Sequence, residues 1–222
     1  VILLIYVSMR MSPIIVCLAS AETSFEAEKA FQTSLLRNTI DSALLLYVHQ
    51  NIGPTNLDDP CRMVGITCDN RGLVTRIKWK NPPAPIVSLL YLPPTLQRII
   101  VQSDSARTKY LHSRRLPRDL EYCILQSCGI RGTIDMKNLP ERLLVLSLSK
   151  NVIRGTVDLR FLPTNIEILD FRLNPIKQVV YDVDYLPTSL KDARFYEEKV
   201  NIQEVQRKAD YRVVKKWQTC NL

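Results

Sequence analysis

Leucine, isoleucine and valine recur with a period of 23 to 24 residues through the second half of the chain. The period is clearest in a Leu-Pro dipeptide, which returns at intervals of 24, 23, 23 and 24 residues. Its leucines are Leu92, Leu116, Leu139, Leu162 and Leu186. Four near-equal intervals, with flanking residues that repeat as well, predict an array of stacked structural units.

Four residues after the leucine of each dipeptide, the chain enters the pattern L-x-x-L-x-L-x-x-N-x-I or a variant of it. The clearest unit has Leu143, Leu146, Leu148, Asn151 and Ile153 in these positions. The other four units have Leu96, Ile99, Val101, Asp104 and Ala106; Leu120, Cys123, Leu125, Cys128 and Ile130; Ile166, Leu169, Phe171, Asn174 and Ile176; and Leu190, Ala193, Phe195, Glu198 and Val200. The alternation in L-x-L places both apolar side chains on one side of a short strand. Because no unit can bury that side alone, adjacent coils must stack into a repeat solenoid with a curved parallel β-sheet on its concave face.

The remaining parts of the unit predict a turn and a second strand. The asparagine position follows the strand, where an inward Asn would satisfy unpaired backbone groups in its own coil and the next; Cys128 takes this position in one unit. The second half of the unit repeats as GTIDM at residues 132–136 and GTVDL at residues 155–159. Alternating, β-branched residues there predict a β-rich outer wall with little helix.

Helical caps are predicted at both ends of the array, because terminal coils would otherwise expose their core. Residues 22–51 carry apolar positions at helical spacing, and Gly53-Pro54 ends the pattern. Residues 201–222 have Ile202, Val205, Ala209, Val213 and Trp217 on one helical face. They predict a C-terminal capping helix or, as an alternative, an amphipathic helix that binds a partner. The predicted division is therefore a leader at 1–21, an N-terminal cap at 22–85, repeats at 86–200 and the C-terminal cap at 201–222.

The repeat resembles that of the leucine-rich-repeat superfamily, and the cap has a resemblance of its own. Residues 58–69 read DDPCRMVGITCD and residues 72–77 read GLVTRI. This stretch resembles the N-terminal cap of plant-type leucine-rich-repeat receptors and secreted repeat proteins. Met63 stands where that cap usually has tryptophan, and the outer-wall pattern is closer to repeat proteins of unicellular eukaryotes.

The resemblance implies a disulfide between Cys61 and Cys68, since the two cap cysteines are bonded in that family. A metal pair is the alternative, but only two ligands are in sight, and neither His49 nor His112 lies near them in sequence. Two further cysteines, Cys123 and Cys128, occupy inward positions and are expected to be buried free thiols. Apart from Cys17, which lies in the first 21 residues, the remaining cysteine is Cys220 near the C-terminal end, which is either free or paired outside the chain.

The first 21 residues have the order of a secretory signal. From Met9 they give a basic residue, an apolar run at 13–18 and the small residues Ala19-Ser20-Ala21. The alternative is an apolar segment buried in the fold. The signal interpretation predicts a secreted or surface-associated protein, and no other run reaches the ~20 apolar residues that a membrane span requires.

Charge and motifs argue against nucleic acid and against an enzyme. The formal net charge is +8, but lysine and arginine alternate with acids along the chain instead of forming one basic stripe. Neither histidine lies in a nucleophile motif, and six glycines form no phosphate-binding loop. The sequence predicts no catalytic residue, no cofactor and no metal site.

The predicted site is the outward side of the concave sheet, where residues between the inward leucines line up about 4.8 Å apart from strand to strand. These candidate binding residues are Ile100, Gln102, Tyr122, Ile124, Gln126, Ser147, Ser149, Asp170, Arg172, Arg194 and Tyr196. Apolar and aromatic side chains on such a face predict a protein or peptide ligand. Two alternatives stay open: a merely solvated face, and a structural subunit of a larger assembly, for example in an organelle.

Overall fold

One α-helix and fourteen short strands make up the regular structure that the computed structural model describes. It describes residues 21–39, 59–80, 86, 88–102, 109–195, 201–204 and 213–214. The helix α1 is Ala21–Thr39. The strands are β1 Ile66–Cys68, β2 Val74–Lys80, β3 Arg98–Gln102, β4 Lys109–Tyr110, β5 Tyr122–Gln126, β6 Ile130–Gly132, β7 Val145–Ser147, β8 Val152–Ile153, β9 Gly155–Asp158, β10 Ile168–Asp170, β11 Ile176–Tyr181, β12 Asp192–Arg194, β13 Asn201–Glu204 and β14 Val213–Val214. Single 3₁₀ turns occupy Pro60–Arg62, Ser113–Arg115, Met136–Asn138, Leu159–Phe161 and Val183–Tyr185.

An eight-stranded sheet in the order β1-β2-β3-β5-β7-β10-β12-β14 dominates the fold. The edge strand β1 is antiparallel to β2, and every other pairing in this main sheet is parallel. Each predicted repeat unit supplies one strand to it, so strands that follow one another by one repeat are neighbours in space. The fold is therefore parallel and strand-rich with few helices.

The inward side of the main sheet is apolar, as the alternation predicts. Residues in the same repeat position lie opposite one another in the register. This inward row is Ile77, Ile99, Cys123, Leu146, Leu169 and Ala193, and all six are fully buried. Burial of such side chains contributes roughly 1.5–3 kcal/mol each for the larger ones, so the row is a main source of stability.

Asparagine closes the turn after the strand. The Asn151 side chain accepts hydrogen bonds from the backbone N–H of Cys128 and Ile130, at 3.0 and 3.1 Å. It donates to the carbonyls of Leu125 and Leu148, at 2.7 and 2.8 Å. The side chain thus serves its own coil and the preceding coil, whereas the sequence interpretation assigned it to its own coil and the next.

The backbone just before each of these positions is left-handed. Ser127, Lys150 and Leu173 have φ values of 53°, 56° and 55°. This conformation turns the chain sharply enough for the following Cys128, Asn151 or Asn174 to point inward. A non-glycine residue in it is sterically strained, so the buried hydrogen bonds that follow must offset the strain.

The outer wall is more mixed than predicted. Residues 155–158 form the expected strand β9, but residues 134–136 do not form one; Met136 instead opens a 3₁₀ turn. The wall divides into two small parallel sheets, β4-β6-β8 and β13-β11-β9. The side chains of Asp135 and Asp158 accept hydrogen bonds from the backbone two residues on, which caps the 3₁₀ turns that follow. The capped 3₁₀ turns give the backbone N–H groups at these positions a hydrogen-bond acceptor, so the chain can bend there without continuing as a strand.

The N-terminal cap has the disulfide that the resemblance implied, between Cys61 and Cys68. Its indole comes from β2, because Trp79 donates a hydrogen bond from Nε1 to the Val64 carbonyl at 2.9 Å. Only glycine fits at Gly65, where φ is +81° and a Cβ would lie 2.3 Å from the Lys78 carbonyl oxygen. Within the cap, the Trp79 indole therefore packs against the segment that follows Met63.

Helix α1 docks on the first coils with a polar centre. Buried Gln32 donates from Nε2 to Thr95 Oγ1 and accepts at Oε1 from the Val74 backbone N–H, both at 2.9 Å. Leu36 is buried beside it, whereas Phe31, one of the apolar residues at helical spacing in this segment, is 57% exposed. The remainder of the predicted helix, residues 40–51, lies outside the described residues, as does nearly all of the predicted leader at 1–21.

The predicted C-terminal helix is wrong where the structure describes that region. Asn201–Glu204 is strand β13, which pairs in parallel with β11, and Val213–Val214 is strand β14, which pairs in parallel with β12. Both strands use the backbone donors and acceptors that the edges of the outer-wall sheet and the main sheet present. The free hydrogen-bonding edges outweigh the helical spacing of the apolar residues. The rest of the segment, residues 205–212 and 215–222, is outside the described residues.

Candidate functional site

The outward side of the main sheet carries its side chains in three parallel rows. The middle row is set by direct register from β2 to β12. It consists of Lys78, Ile100, Ile124, Ser147, Asp170 and Arg194. The structure thus places the candidate residues of this row opposite one another, one per strand. A parallel sheet holds them rigidly, since each strand is hydrogen-bonded on both sides.

A second row begins with Lys80, Gln102 and Gln126, which are also in register. Gln102 donates a side-chain hydrogen bond to Gln126 at 3.2 Å. Ser149, proposed from the sequence as an exposed member, is only 4% exposed and offers little to a ligand. Tyr196, the last member proposed from the sequence, lies outside the described residues.

The third row contains residues that sequence reasoning overlooked. It consists of Arg76, Arg98, Tyr122, Val145, Ile168 and Asp192, again in register. Val145 and Ile168 precede inward leucines, as Tyr122 precedes Cys123, so the same alternation would have predicted that they face outward. They were missed because they are apolar and lie next to core leucines.

Five apolar residues occupy neighbouring positions in the middle and third rows. We call them the apolar strip: Ile100, Tyr122, Ile124, Val145 and Ile168. All five are half-buried, and they run diagonally over β3, β5, β7 and β10. A contiguous apolar patch on an otherwise polar sheet is the feature of this face that a partner can desolvate with a gain in free energy.

The acidic side chains around the strip are held by basic neighbours. Asp170, 6% exposed, accepts two hydrogen bonds from the Arg172 guanidinium, at 2.8 and 2.7 Å. The sequence interpretation had proposed Asp170 as a freely exposed contact; instead its carboxylate is occupied. Arg194 pairs with Asp192 of the same strand β12 through one hydrogen bond, donated from its Nε.

Two more pairs complete this pattern on the flank of the sheet. Lys191 contacts Glu167 at 2.8 Å, and Arg98 contacts Glu121 at 3.8 Å. Arg98 also lies over the Tyr122 ring, with its guanidinium carbon 4.5 Å from the ring centroid. Tyr122 is therefore partly covered by a cation, which reduces the aromatic face open to a ligand.

Strand β2, the strand of the N-terminal cap next to the repeats, has the opposite character. Arg76, Lys78 and Lys80 of β2 point outward in the three rows, and none of them has an ion pair among the described residues. The buried Nε of Arg76 also has no hydrogen-bond partner there. The N-terminal end of the face is thus positive, while the C-terminal end is locally neutral.

The described residues offer little for chemistry. Burial, and secondarily the neighbouring Cys128, raises the pKa of Cys123 from 9.0 to about 12, so its thiol is not a nucleophile at neutral pH. Within the described ranges, no three His, Cys, Asp or Glu side chains cluster in a way that could hold a metal ion. The search of those same ranges finds no helix long and apolar enough to cross a membrane.

Comparison with known proteins gives distant structural likenesses only. No family model and no curated protein matches the chain. The leucine-rich-repeat ectodomain of the receptor kinase SOBIR1 from Arabidopsis thaliana is 20% identical, with 73% of this chain and 95% of that chain covered and a TM-score of 0.49. Pollen Receptor Kinase 3 is 14% identical over 66% of this chain and 80% of its own, with a TM-score of 0.41. A plant ice-binding protein is 14% identical over 77% and 79%, with a TM-score of 0.33.

The sequence and structure of this chain are themselves the evidence for a leucine-rich-repeat-like fold. One parallel strand per repeat, an inward row of apolar residues and asparagines that bridge coils all follow from its own period of 23 to 24 residues.

Proposed function

We propose that the chain is a leucine-rich-repeat solenoid that binds a protein or peptide on the outward, concave face of its main sheet. The apolar strip is the observation that carries the proposal. Burying the part of these isoleucine, valine and tyrosine side chains that is still exposed would stabilise a complex, and such residues dominate interface energetics. The predicted contacts Ile100, Tyr122 and Ile124 belong to the strip.

The polar members of the predicted site have a different role in this proposal. Arg172 and Arg194 each hold a neighbouring carboxylate, so a ligand would meet a pair and not a free charge. Such pairs contribute to the choice of partner and to association rate more than to affinity. Gln102, Gln126 and Ser147 supply hydrogen-bonding groups beside the strip.

We also propose that the protein works in an oxidising compartment, as a secreted or surface-associated protein. The Cys61–Cys68 disulfide supports this proposal, because disulfides persist outside the reducing cytosol. The apolar, small-residue pattern of residues 1–21 points in the same direction.

The binding proposal is tested by selecting random displayed peptides on the full chain and measuring their affinity for variants. We expect Ile124→Ser to weaken the selected peptides by more than about tenfold, since the strip loses its central side chain. The melting temperature should stay the same, because Ile124 points away from the core. Arg154→Ala, an exposed change outside the sheet, is the matched control and should leave affinity unchanged.

If the selected peptides bind Ile124→Ser and wild type equally while Arg154→Ala or other changes outside the sheet weaken them, the concave face is not the site.

A second candidate, a structural subunit of a larger assembly, has one observation in its favour. Phe161 and Tyr185 precede the Leu-Pro dipeptide in adjacent units and are 42% and 65% exposed on the outer wall. In an assembly in which neighbouring subunits also contact the outer wall, these two aromatic residues would be buried against them. Native mass spectrometry of the purified chain with Phe161→Ser and Tyr185→Ser would test this, since loss of a wild-type oligomer in these variants supports the subunit role.

A further inference from the structure

Among the described residues, acidic and basic side chains on the outward face are paired with one another everywhere except at its N-terminal end, on β2. Four acidic residues lie on this face or its flank, and each has a basic partner from the same face. The pairs are Glu121 with Arg98, Glu167 with Lys191, Asp170 with Arg172 and Asp192 with Arg194. From β3 to β12 these four pairs therefore carry no excess of either sign.

The compensation stops at β2. Lys78 and Lys80 are exposed, lie two residues apart on the same side of one strand, and have no ion pair within the described part of the chain. Arg76 is two residues before Lys78 and lies opposite Arg98 in the register. Three cations on one strand repel one another, and an anion bound beside them would lower this repulsion.

The guanidinium of Arg76 also lacks a partner within the described part of the chain. Its Nε is buried and lacks a hydrogen-bond acceptor among the described residues. Its neighbour in the register on β3 is Arg98, a cation that has donors and no acceptor on its side chain. A carboxylate bound by the outer guanidinium nitrogens of Arg76 would neutralise a charge that the chain itself leaves unmatched.

We propose that the concave face takes a peptide segment that is acidic at one end and apolar along the rest, an inference that rests on the proposed function. Its carboxylates lie over β2, against Arg76, Lys78 and Lys80. Its apolar side chains lie over the apolar strip. A segment of about eight extended residues spans the six strands from β2 to β12, since strands lie about 4.8 Å apart and an extended chain rises about 3.3 Å per residue.

The same face fits a nucleic acid poorly. A phosphate chain that continued past β3 would leave the cations and meet apolar isoleucines and the carboxylates of β10 and β12. Single-stranded nucleic acids also need aromatic platforms for their bases, and Tyr122, the one aromatic residue in the described part of the three rows, is covered by Arg98. An acidic peptide satisfies both halves of the face at once.

The test is a selection of displayed random peptides on the full chain, run in parallel on two variants of equal net charge. The first is Lys78→Glu with Lys80→Glu on the concave face. The second, as control, is Arg154→Glu with Lys177→Glu, two exposed positions outside it. Oligothymidine is titrated against all three proteins as a separate probe.

We expect peptides selected on wild type to be enriched in Asp and Glu at one end and in apolar residues elsewhere. They should bind the Lys78→Glu, Lys80→Glu variant at least about tenfold more weakly and the control variant equally well, and affinity should fall with added salt. Selection on the concave-face variant should instead enrich Lys and Arg at that end.

The outcomes separate this inference from the function on which it rests. Peptides that lose affinity in Ile124→Ser but show no acidic end, and that ignore Lys78→Glu with Lys80→Glu, overturn the inference and leave the concave site standing. Acid-ended peptides that ignore Ile124→Ser overturn the strip as the site of binding. Oligothymidine that binds tightly, and loses this affinity only in the concave-face variant, overturns the acidic-peptide inference in favour of nucleic acid.

Discussion

At the scale of single residues, the inward asparagine does more than fill a position in the repeat. Asn151 and Asn174 are both buried, and each bridges two coils by bonding backbone groups on either side. The amide is suited to this task because it offers two donors and an acceptor with two lone pairs on a short side chain. Cys128 can only approximate it, with its sulfur 3.5 Å from the Val101 carbonyl of the preceding coil.

The first prediction concerns that asparagine. Asn151→Ala should lower the free energy of unfolding by about 3 kcal/mol, because it leaves two buried N–H groups and the carbonyls opposite without partners. Asn165→Ala, at an exposed position with one long hydrogen bond to the Glu141 carbonyl, should change it by less than about 0.5 kcal/mol. Urea unfolding followed by circular dichroism measures both. Similar losses in the two variants would contradict the bridging role.

The second prediction uses the buried thiol. The folded pKa of Cys123 is about 12, while its unfolded value is 9.0, so the unfolded chain loses this proton first as the pH rises. The contribution is fully present below pH 9 and falls by about 1.4 kcal/mol per pH unit above it, until the folded pKa is reached. Stability measured at about pH 8 and about pH 10.5 should therefore drop by about 2 kcal/mol more in wild type than in Cys123→Ala. Parallel pH profiles would show that Cys123 is not buried as a neutral thiol.

At the scale of elements, each strand of the main sheet from β2 to β12 has one side that faces the core and one that faces away from it. The two sides differ by a single residue of register, so a strand such as β7 places Leu146 inward and Ser147 outward. The outer wall lacks this sharp division. Its short strands alternate with 3₁₀ turns whose aspartate caps recur, and the hydrogen bond from Arg160 holds the pKa of the Asp158 carboxyl below its usual value.

The third prediction measures that division on one strand. Leu146→Ala should lower the free energy of unfolding by about 2–5 kcal/mol, since it leaves a cavity between adjacent coils. Ser147→Ala, the next residue and its matched control, should stay within about 0.5 kcal/mol. Thermal unfolding of the two variants distinguishes them directly. Equal melting shifts would mean that the register of β7 is wrong.

The element that the sequence described least well is the C-terminal segment. Ile202 and Val213 fall at helical spacing with their neighbours, yet both lie in strands. The spacing of apolar residues indicates only which side of an element is buried. A short amphipathic segment can be stabilised either as a helix or as a strand, depending on the partners that its backbone finds. Here Ile202 sits opposite Val179, on a strand whose backbone groups would otherwise remain unpaired at the sheet edge.

At the scale of the whole molecule, contacts in the described repeats are mainly between neighbours. Leu146 lies beside Leu169 across one strand pairing, whereas Ile99 and Leu169 are separated by three strand spacings. Stability in such an array is approximately a sum of unit terms and nearest-neighbour terms. The coupling between two core residues should therefore depend on the number of strands between them.

The fourth prediction tests this dependence with two double-mutant cycles. The losses from Ile99→Ala and Leu169→Ala should add within about 0.5 kcal/mol, while Leu146→Ala and Leu169→Ala should couple by more than about 0.5 kcal/mol, because they share one cavity. Denaturant unfolding of the single and double variants gives both values. Equal coupling in the two cycles would indicate that the coils do not act as neighbours only.

The sequence alone determined what repeats. The period of the Leu-Pro dipeptide and the L-x-L alternation were enough to predict the inward row, the middle outward row and the asparagine turn, because inward and outward directions alternate locally within a strand. The cap cysteines could be paired from their resemblance to a known cap. None of this required knowledge of which residues lie close together across the molecule.

Only the tertiary structure decided what depends on partners from other coils. The sequence suggested a free charge at Asp170, but its carboxylate is bonded to Arg172. The uncompensated positive charge of β2 became evident only from the pairing of Glu121, Glu167, Asp170 and Asp192 with basic residues. Trp79 completes the cap across 15 residues of chain, and β13 and β14 form because edges far away in sequence are open to them. Charge pairing, cap packing and edge pairing are properties of distances in space, which a pattern along one chain does not specify.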